Sequence, residues 1–361
     1  MFTDDALCSL RRDAGRGCVE IIDQALLPHR LEWRELDSLA SYCHAISSMQ
    51  VRGAPLIGIT AAYGLAHALS EEPSSATLER AAAKLLATRP TAVNLHWALE
   101  EVKESVRQLP SDQWSDAALA RADSLRVADI ENCSRIGDHG LELLRQLAAE
   151  SDGNRLNIMT HCNAGWLATI QWGTALAPIY KAHAAGIPVH VWVSETRPRN
   201  QGMYLTAWEL QRAGVPYTIV VDNSCGLLLQ QGEVDCVIVG SDRTAANGDV
   251  CNKIGTYMKA LAAQANGVPF YVALPASTID WACPSGGSIP IERRDGGEVL
   301  TVAGLDDSGS HNAVSLAVEG SSADNPAFDV TPAALVGGLV TEYGVIAAGQ
   351  EGLARLHRQL A

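Results

Sequence analysis

The spacing of apolar positions changes near the middle of this 361-residue chain. In the first third they recur every three or four residues, the spacing of helices that bury one face. The pattern predicts helices over residues 37–48, 55–69, 78–87, 91–109 and 116–147. Pro55 stands at the predicted start of one helix, where the missing N–H costs nothing. Pro90 separates two others.

From about residue 155, short apolar runs alternate with helical patterns. The predicted strands are residues 156–161, 189–194, 217–221, 236–239 and 270–274, and the predicted helices are 164–184, 206–213 and 253–266. This alternation is typical of a parallel sheet with right-handed crossovers. Residues 296–324, rich in Gly, Ser and Asp, predict a surface loop, and residues 325–332 predict a rigid connector.

These patterns predict an α/β fold with two parts. Residues 1–125 form a mainly helical N-terminal domain. Residues 126–361 form a Rossmann-like parallel-sheet domain, in which residues 126–150 are a linking helix.

The composition of the chain argues against several classes of function. The chain has 27 Lys and Arg against 41 Asp and Glu, a formal net charge of −14, which argues against a nucleic-acid or anionic membrane surface. Nine cysteines without C-x-x-C spacing predict reduced thiols in the cytoplasm. The long uncharged stretches 53–70 and 157–180 are interrupted by Gly, Thr, Asn, Gln or Pro, so we expect them to be buried in the protein and not in a membrane.

Two reactive side chains follow predicted strands, at the edge where open α/β sheets bind ligands. Cys162 would lie at a helix N-terminus, which favours the thiolate; alternatively it packs as a small apolar residue. Asp242 follows a buried strand, where partial desolvation would let it donate a proton near neutral pH. Its alternative roles are a helix cap or a partner for Arg243.

Several cations and amides stand at other element junctions. Arg52-Gly53-Ala54 precedes a helix whose free N–H groups suit a phosphate. Arg89, Asn252 and Lys253 lie at similar junctions, and Gln201 follows a strand and could bind sugar hydroxyls. The alternatives are a plain helix start, solvated surface charges and a helix cap. Dinucleotide, P-loop and zinc-protease motifs are absent from the sequence, and His161 beside Cys162 does not make a zinc site.

At this point the motifs together resemble a known family. The chain is similar to the methylthioribose-1-phosphate isomerases, in the superfamily shared with the regulatory alpha, beta and delta subunits of initiation factor 2B. The resemblance rests on colinear segments at residues 51–55, 89–95, 160–165, 197–202, 248–256 and 325–332.

The resemblance implies an enzyme that acts without a metal or other cofactor. It implies a homodimer that converts 5-methylthioribose 1-phosphate to 5-methylthioribulose 1-phosphate in methionine salvage. By motif, Cys162 and Asp242 are the catalytic pair, and the substrate contacts are Arg52, Gly53, Ala54, Arg89, Gln201, Asn252 and Lys253. Asp242 is interpreted as the acid and Cys162 as the base; a hydride shift would need the same acid and give Cys162 another role.

Two bulky residues near the predicted site are compatible with more than one substrate. Trp166 stands where the family pattern has a small residue, and Met203-Tyr204 stands where it has small and basic residues. A 5-deoxyribose 1-phosphate or another pentose 1-phosphate is therefore an alternative substrate. An alternative of another class is a noncatalytic regulatory subunit that senses sugar phosphates.

Overall fold

The helical part of the chain begins with a small antiparallel sheet. A computed structural model describes residues 7–13, 15, 17–150 and 155–360, so the outermost residues of both predicted domains lie outside the described ranges. Its first strands are β1 (Leu10–Asp13), β2 (Cys18–Ile22) and β3 (Trp33–Leu36). Five helices follow: α1 (Leu39–Ser47), α2 (Ala54–Glu71), α3 (Ser75–Thr88), α4 (Val93–Val106) and α5 (Trp114–Glu150). They match the five predicted helices.

Helix α2 is the centre of the helical bundle. It is apolar on almost all sides, which is the pattern of a helix surrounded by other elements. Leu56, Ile59 and Leu65 are among its buried side chains, and they belong to one apolar core with residues of α1, α3, α4 and α5. This packing fixes the N-terminus of α2 relative to the rest of the molecule.

A second layer of strands and helices completes the chain. Its strands are β4 (Leu156–Thr160), β5 (Val189–Ser194), β6 (Tyr217–Val220), β7 (Cys236–Val239), β8 (Arg243–Ala245), β9 (Val250–Lys253), β10 (Phe270–Ala273), β11 (Ile279–Asp280), β12 (Thr301–Leu305), β13 (His311–Ser315), β14 (Phe328–Thr331), β15 (Gly338–Thr341) and β16 (Gly344–Ile346). Its helices are α6 (Leu176–Ala184), α7 (Ala207–Ala213), α8 (Cys225–Gln230), α9 (Thr256–Ala265), α10 (Gly297–Leu300) and α11 (Gln350–Leu360).

The main sheet is doubly wound. Its seven strands have the order β16-β15-β10-β7-β4-β5-β6, and all neighbours are parallel except the β15–β16 pair. The chain runs from β4 outward to β6 and then returns to the other side of β4 as β7. The crevice beyond the carboxyl ends of β4 and β7 is therefore the topological switch point, where such sheets bind ligands.

A four-stranded sheet of order β11-β8-β9-β14 stands beside this crevice. It corrects two expectations. Asp242 leads into strand β8 and not into a helix, and Lys253 ends strand β9, so the predicted helix 253–266 begins only at Thr256. The connector 325–332 contributes strand β14, which pairs with β9.

The predicted helix 164–184 is wrong in its first half. Helix α6 begins at Leu176, and only a short 3-10 turn, Trp166–Ala168, precedes it. The reason is that backbone N–H groups of this stretch donate to buried carboxylates: Trp166 and Leu167 to Glu209, and Ile170 to Asp129. These long-range partners replace the bonds that a helix would make.

The predicted loop 296–324 contains regular structure. It holds α10 and the hairpin of β12 and β13, whose strands pair from Thr301–Ser315 to Leu305–His311. Most of the hairpin is exposed to solvent. None of the described helices is long and apolar enough to cross a membrane.

Candidate active site

All nine residues predicted for the site line one cavity. It has a volume of about 80 Å³ and lies beyond the carboxyl ends of β4 and β7. Its lining includes Arg52, Gly53, Ala54, Arg89, Cys162, Gln201, Asp242, Asn252 and Lys253. The helical bundle and both sheets of the second layer each contribute walls.

Cys162 is held by hydrogen bonds on every side. Its backbone N–H donates to Thr196 Oγ1 at 2.8 Å, and its carbonyl oxygen accepts from Thr206 Oγ1 at 2.7 Å. Its thiol donates to Gln201 Oε1 at 3.4 Å. Cys162 and Thr196 both have a left-handed backbone, with φ of 63° and 66°, which non-glycine residues adopt at a cost. Such conformations concentrate at functional sites.

The Cys162 thiol is not biased toward thiolate by a helix. Helix α6 begins fourteen residues later, so the expected helix N-terminus is missing at Cys162. Burial raises the pKa of the thiol, and the nearby charges of Lys253 and Arg52 only partly oppose this. The side chain therefore rests as the neutral thiol near pH 7.

Asp242 stands on the facing wall of the cavity. Its backbone N–H donates to the Cys251 carbonyl at 3.0 Å, which anchors the turn between β7 and β8. Its half-buried carboxylate is close enough to Arg52, Arg89 and Lys253 to interact with them electrostatically. The alternative role of Asp242 as the partner of Arg243 is not found, because Arg243 pairs with Asp280.

Arg52 and the N-terminus of α2 form another wall. The guanidinium group is buried and donates to the side-chain and backbone oxygens of Asn163. Burial lowers the pKa of Arg52, and the negative charge of Asp242 opposes this. Gly53 caps α2 with φ of 93°, and a Cβ there would overlap the backbone of Ala168. Glycine thus permits the close approach of this helix end to the cavity.

Four further cations line the cavity: Arg89, Arg243, Lys253 and Arg294. Lys253 lies over the ring of Phe328 at 4.5 Å, and burial and Arg294 lower its pKa to about 8. Arg89 and Arg294 both bond to Glu292, at 3.2 and 2.7 Å. The cavity lining therefore combines five basic side chains with one acidic side chain, Asp242, which is an arrangement suited to a phosphate dianion.

Arg294 and Glu209 are site residues that the sequence predictions did not include. Arg294 stands just before the 296–324 segment, and only the folded chain brings it to the cavity. Glu209 is fully buried and accepts from Asn163 Nδ2 at 2.7 Å, so it supports Arg52 through Asn163. Burial raises the pKa of Glu209 to about 7. The sequence motif around Asn163 does not indicate that Arg294 and Glu209, which lie far from it in the sequence, belong to the site.

His161 is a structural neighbour of the thiol. Its Nε2 lies 2.7 Å from the Ile254 carbonyl, and its Nδ1 lies 3.1 Å from Ser194 Oγ. Burial lowers its pKa to about 3, so the ring is neutral and Nε2 donates to the carbonyl. In the part of the chain that the structure describes, no group of three His, Cys, Asp or Glu residues could hold a metal ion.

Asn252 and Gln201 supply amides to the cavity. Asn252 Nδ2 donates to Thr256 Oγ1 at 3.0 Å, and Gln201 lies at the start of a π-helical turn, Gly202–Thr206. Tyr204 lies on the same turn, and Trp166 is fully packed in the sheet core away from the cavity lining. Trp166 therefore does not limit the substrate directly.

Comparisons with known proteins agree with one another. The model of the initiation factor 2 subunit family matches residues 50–348. A methylthioribose-1-phosphate isomerase of Dechloromonas aromatica (strain RCB) is 57% identical over 353 residues, which cover 98% of this chain and 97% of the relative.

Two solved structures share the fold. The 5-methylthioribose 1-phosphate isomerase from Pyrococcus horikoshii OT3 has a TM-score of 0.84 and 37% identity, and the match covers 98% of this chain and 96% of that one. The delta subunit of translation initiation factor eIF-2B from A. fulgidus has a TM-score of 0.79 and 35% identity, covering 98% and 100%. The chain belongs to the initiation factor 2 subunit family, among its methylthioribose-1-phosphate isomerases.

Proposed function

We propose that the chain isomerises 5-methylthioribose 1-phosphate to 5-methylthioribulose 1-phosphate in methionine salvage. The observation that carries this proposal is the cavity in which Cys162 and Asp242 stand among five basic side chains. The relatives that share more than half of its residues are methylthioribose-1-phosphate isomerases. The chain is thus an aldose–ketose isomerase that acts on a sugar phosphate.

The substrate sets the chemical demands. Its anomeric oxygen carries the phosphate, so the ring cannot open to a free aldehyde. The reaction must protonate the ring oxygen as the C1–O bond breaks, move the C2 hydrogen to C1, and remove the proton of the 2-hydroxyl. Arg52, Arg89 and Lys253 hold the phosphate in this proposal, and the amides of Gly53 and Ala54 complete its cradle.

In this proposal Asp242 gives a proton to the ring oxygen, and its carboxylate then takes the proton of the 2-hydroxyl. Cys162 takes the C2 hydrogen only if the reaction runs by proton transfer. As a base, the thiol would first have to lose its proton, and burial opposes that loss. The neutral thiol favours the second route, in which the hydrogen passes directly from C2 to C1 as a hydride. Gln201, Asn252 and Lys253 then orient the substrate.

The reaction itself is the first test. Purified protein is incubated with 5-methylthioribose 1-phosphate, and ketose formation is followed by NMR. We expect turnover, and its absence with every pentose 1-phosphate would leave the regulatory, sugar-phosphate-sensing alternative. The same assay with 5-deoxyribose 1-phosphate measures the substrate preference. In D₂O, deuterium at C1 of the product indicates a base, whereas its complete absence indicates hydride transfer.

Substitution of the pair tests their roles. We expect Cys162→Ser and Asp242→Asn each to lower kcat by roughly 10²-fold or more, as for other acid–base groups. Cys43→Ser and Asp112→Asn are matched controls, because both residues lie outside the cavity. A rate near that of the unmodified enzyme in either site variant would remove that residue from the mechanism.

We further propose that the enzyme is a cytoplasmic homodimer. The neighbouring helices α8 and α9 expose the large apolar side chains of Leu227, Tyr257, Met258 and Leu261, which a second copy could cover. None of the nine cysteines, which all lie within the described residues, forms a disulfide, and this suits a reducing compartment. Light scattering after size-exclusion chromatography tests the dimer, and a monomer at micromolar concentration would contradict it.

A further inference from the structure

A buried carboxylate stands behind the Arg52 wall of the cavity. Glu209, on helix α7, is fully buried and is not part of the cavity lining. It accepts from Asn163 Nδ2 at 2.7 Å, and Asn163 in turn accepts two hydrogen bonds from the Arg52 guanidinium. A Cβ on Gly165 would overlap the Glu209 carboxylate, so glycine permits this close approach. One neutral side chain thus separates the carboxylate from the guanidinium.

Four donors converge on the two carboxylate oxygens of Glu209. Oε1 accepts from Asn163 Nδ2 and from the Leu167 N–H at 3.2 Å. Oε2 accepts from the Trp166 N–H and from the Tyr180 hydroxyl, both at 2.8 Å. An ionised carboxylate has only acceptors, whereas a glutamine amide would turn an N–H toward one of these donors. The set of donors therefore requires a carboxylate at this position.

The carboxylate also fixes the orientation of the Asn163 amide. Asn163 Nδ2 donates to Glu209 and to Thr206 Oγ1 at 3.2 Å, so Asn163 Oδ1 faces the other way, toward Arg52. An amide turned over about its last bond would present its N–H groups to the guanidinium, and two donors would then meet. Glu209 opposes this turn, and it thereby keeps an acceptor in front of Arg52.

Arg52 is held differently from Arg89 and Arg294. Those two arginines pair directly with Glu292, which competes with a phosphate for their N–H groups. In the part of the chain that the structure describes, Arg52 bonds to Asn163 and directly to no carboxylate. Its other donors are left for an anion. Arg52 is therefore the arginine that meets a phosphate without first giving up an ion pair with Glu292.

We propose that Glu209 is a positioning residue for phosphate binding, which acts through Asn163 to hold the Arg52 guanidinium in place for the substrate. The proposal rests on the isomerase function proposed above, and it assigns a residue outside the cavity to the phosphate site. Burial lowers the pKa of Arg52, and the negative charge of Glu209 opposes this as well. The same carboxylate thus supports both the position and the charge of the guanidinium.

Binding of inorganic phosphate tests the anion site without the reaction. Titration calorimetry compares the unmodified protein with Glu209→Gln and with Asn163→Ala, which removes the link and keeps the carboxylate. We expect the Kd for phosphate to rise about tenfold in each variant, because an arginine that is no longer held in place binds the anion less tightly. Glu342→Gln is the control, since Glu342 is also buried and accepts from the Ala276 N–H, but lies outside the cavity lining. It should keep the affinity for phosphate.

A double-mutant cycle tests the connection through Asn163. We expect Glu209→Gln to raise the Kd for phosphate less in the Asn163→Ala protein than in the unmodified one, because the link is already lost there. Equal effects in both backgrounds would mean that Glu209 acts by another route, and would overturn the proposal. An unchanged Kd in Asn163→Ala would also overturn it, even if Glu209→Gln did not fold. So would the absence of phosphate binding by the unmodified protein.

Steady-state kinetics separates positioning from a loss of folded protein. The phosphate does not react, so weaker contacts to it raise KM more than they lower kcat. For Glu209→Gln we expect KM for the methylthio substrate to rise about tenfold, with kcat within about threefold of the unmodified enzyme. A lower kcat with an unchanged KM would indicate only fewer folded molecules and contradict the proposal. Absence of turnover by the unmodified protein would instead contradict the isomerase function, while the phosphate titrations would still decide the role of Glu209.

Discussion

At the scale of single residues, burial controls the protonation of the site. It holds the Cys162 thiol neutral, keeps the His161 ring neutral and weakens the charge of Lys253. Burial in the cavity, where the dielectric is low, is the largest cause of all three effects. A bound phosphate would favour the charged form of Lys253, because its two negative charges lie close by.

The pKa of Lys253 predicts a pH dependence. Because burial and Arg294 lower this pKa to about 8, the side chain loses its charge as the pH rises through that value. The neutral amine attracts a phosphate less, so we expect kcat/KM to fall above about pH 8. Lys253→Arg keeps a positive charge at every pH of the assay, and it should remove this limb even if its maximal rate is lower.

The measurement is a profile of kcat/KM for the methylthio substrate from neutral to alkaline pH. Lys103→Arg is the control, because Lys103 makes surface ion pairs with Glu79 and Glu100 far from the cavity. The control should keep the alkaline limb. An alkaline limb of unchanged position in Lys253→Arg would show that another group titrates there.

The single-residue predictions rested on local signals. Cys162, Asp242 and Arg52 stand in short motifs at element boundaries, and the structure brings them to one cavity. The dipole argument for Cys162 failed, because it depended on a helix that the fold does not form. Arg294 and Glu209 could not be identified, since the site residues they act on, Lys253 and Asn163, lie far away in the sequence and only packing brings them together.

At the scale of elements, the N-terminus of α2 is the most constrained part of the site. Gly53 combines a positive φ with contact against the backbone of Ala168, in the irregular segment after Cys162. This contact joins the helical bundle to the catalytic side of the sheet. The periodicity of the sequence predicts α2 itself, but it carries no information about what the helix end touches.

Gly53→Ala should therefore be strongly destabilising. A Cβ there would overlap the Ala168 carbonyl, and a backbone with φ of 93° and ψ of 134°, outside the αL region, adds roughly 1–3 kcal/mol for a residue other than glycine. We expect the midpoint of thermal unfolding to fall by several degrees and KM to rise, because the helix end moves away from the phosphate. Calorimetry and steady-state kinetics on the same preparation measure both quantities.

Gly214→Ala provides the matched control. Gly214 ends α7 with φ of 69°, and a Cβ there would meet nothing within 4 Å. Gly214→Ala therefore loses stability only through the backbone conformation, and it should leave KM unchanged. If the two alanine variants lost the same stability, the contact with Ala168 would not be the cause.

At the scale of the whole molecule, one long helix links the helical bundle to the part of the chain that contains the main sheet. Helix α5 packs against α2 in the bundle and against α6 beside the main sheet. The sequence predicts this helix well, because its apolar pattern continues through the predicted boundary at residue 126. The order of the sheet strands could not be predicted, since it depends on which side of β4 each later strand joins.

Asp129 joins these two layers and should make stability depend on pH. Its Oδ2 accepts from the Ile170 N–H at 2.7 Å, and burial raises its pKa from 3.8 to about 7. The folded protein therefore keeps a proton that the unfolded chain releases above about pH 4. Stability from this group is full below about pH 4 and is lost as the pH rises to about 7, by an amount on the order of 4 kcal/mol.

Asp129→Asn keeps an acceptor for Ile170 but cannot ionise. Between about pH 4 and 7 we therefore expect the midpoint of thermal unfolding of the variant to rise relative to the unmodified protein, with no further change above about pH 7. Asp116→Asn removes the same charge from an exposed position of α5 and should show no such rise in this window. A constant difference between Asp129→Asn and the unmodified protein across this window would mean that Asp129 is ionised in the fold, and that the joint between the layers carries a buried charge.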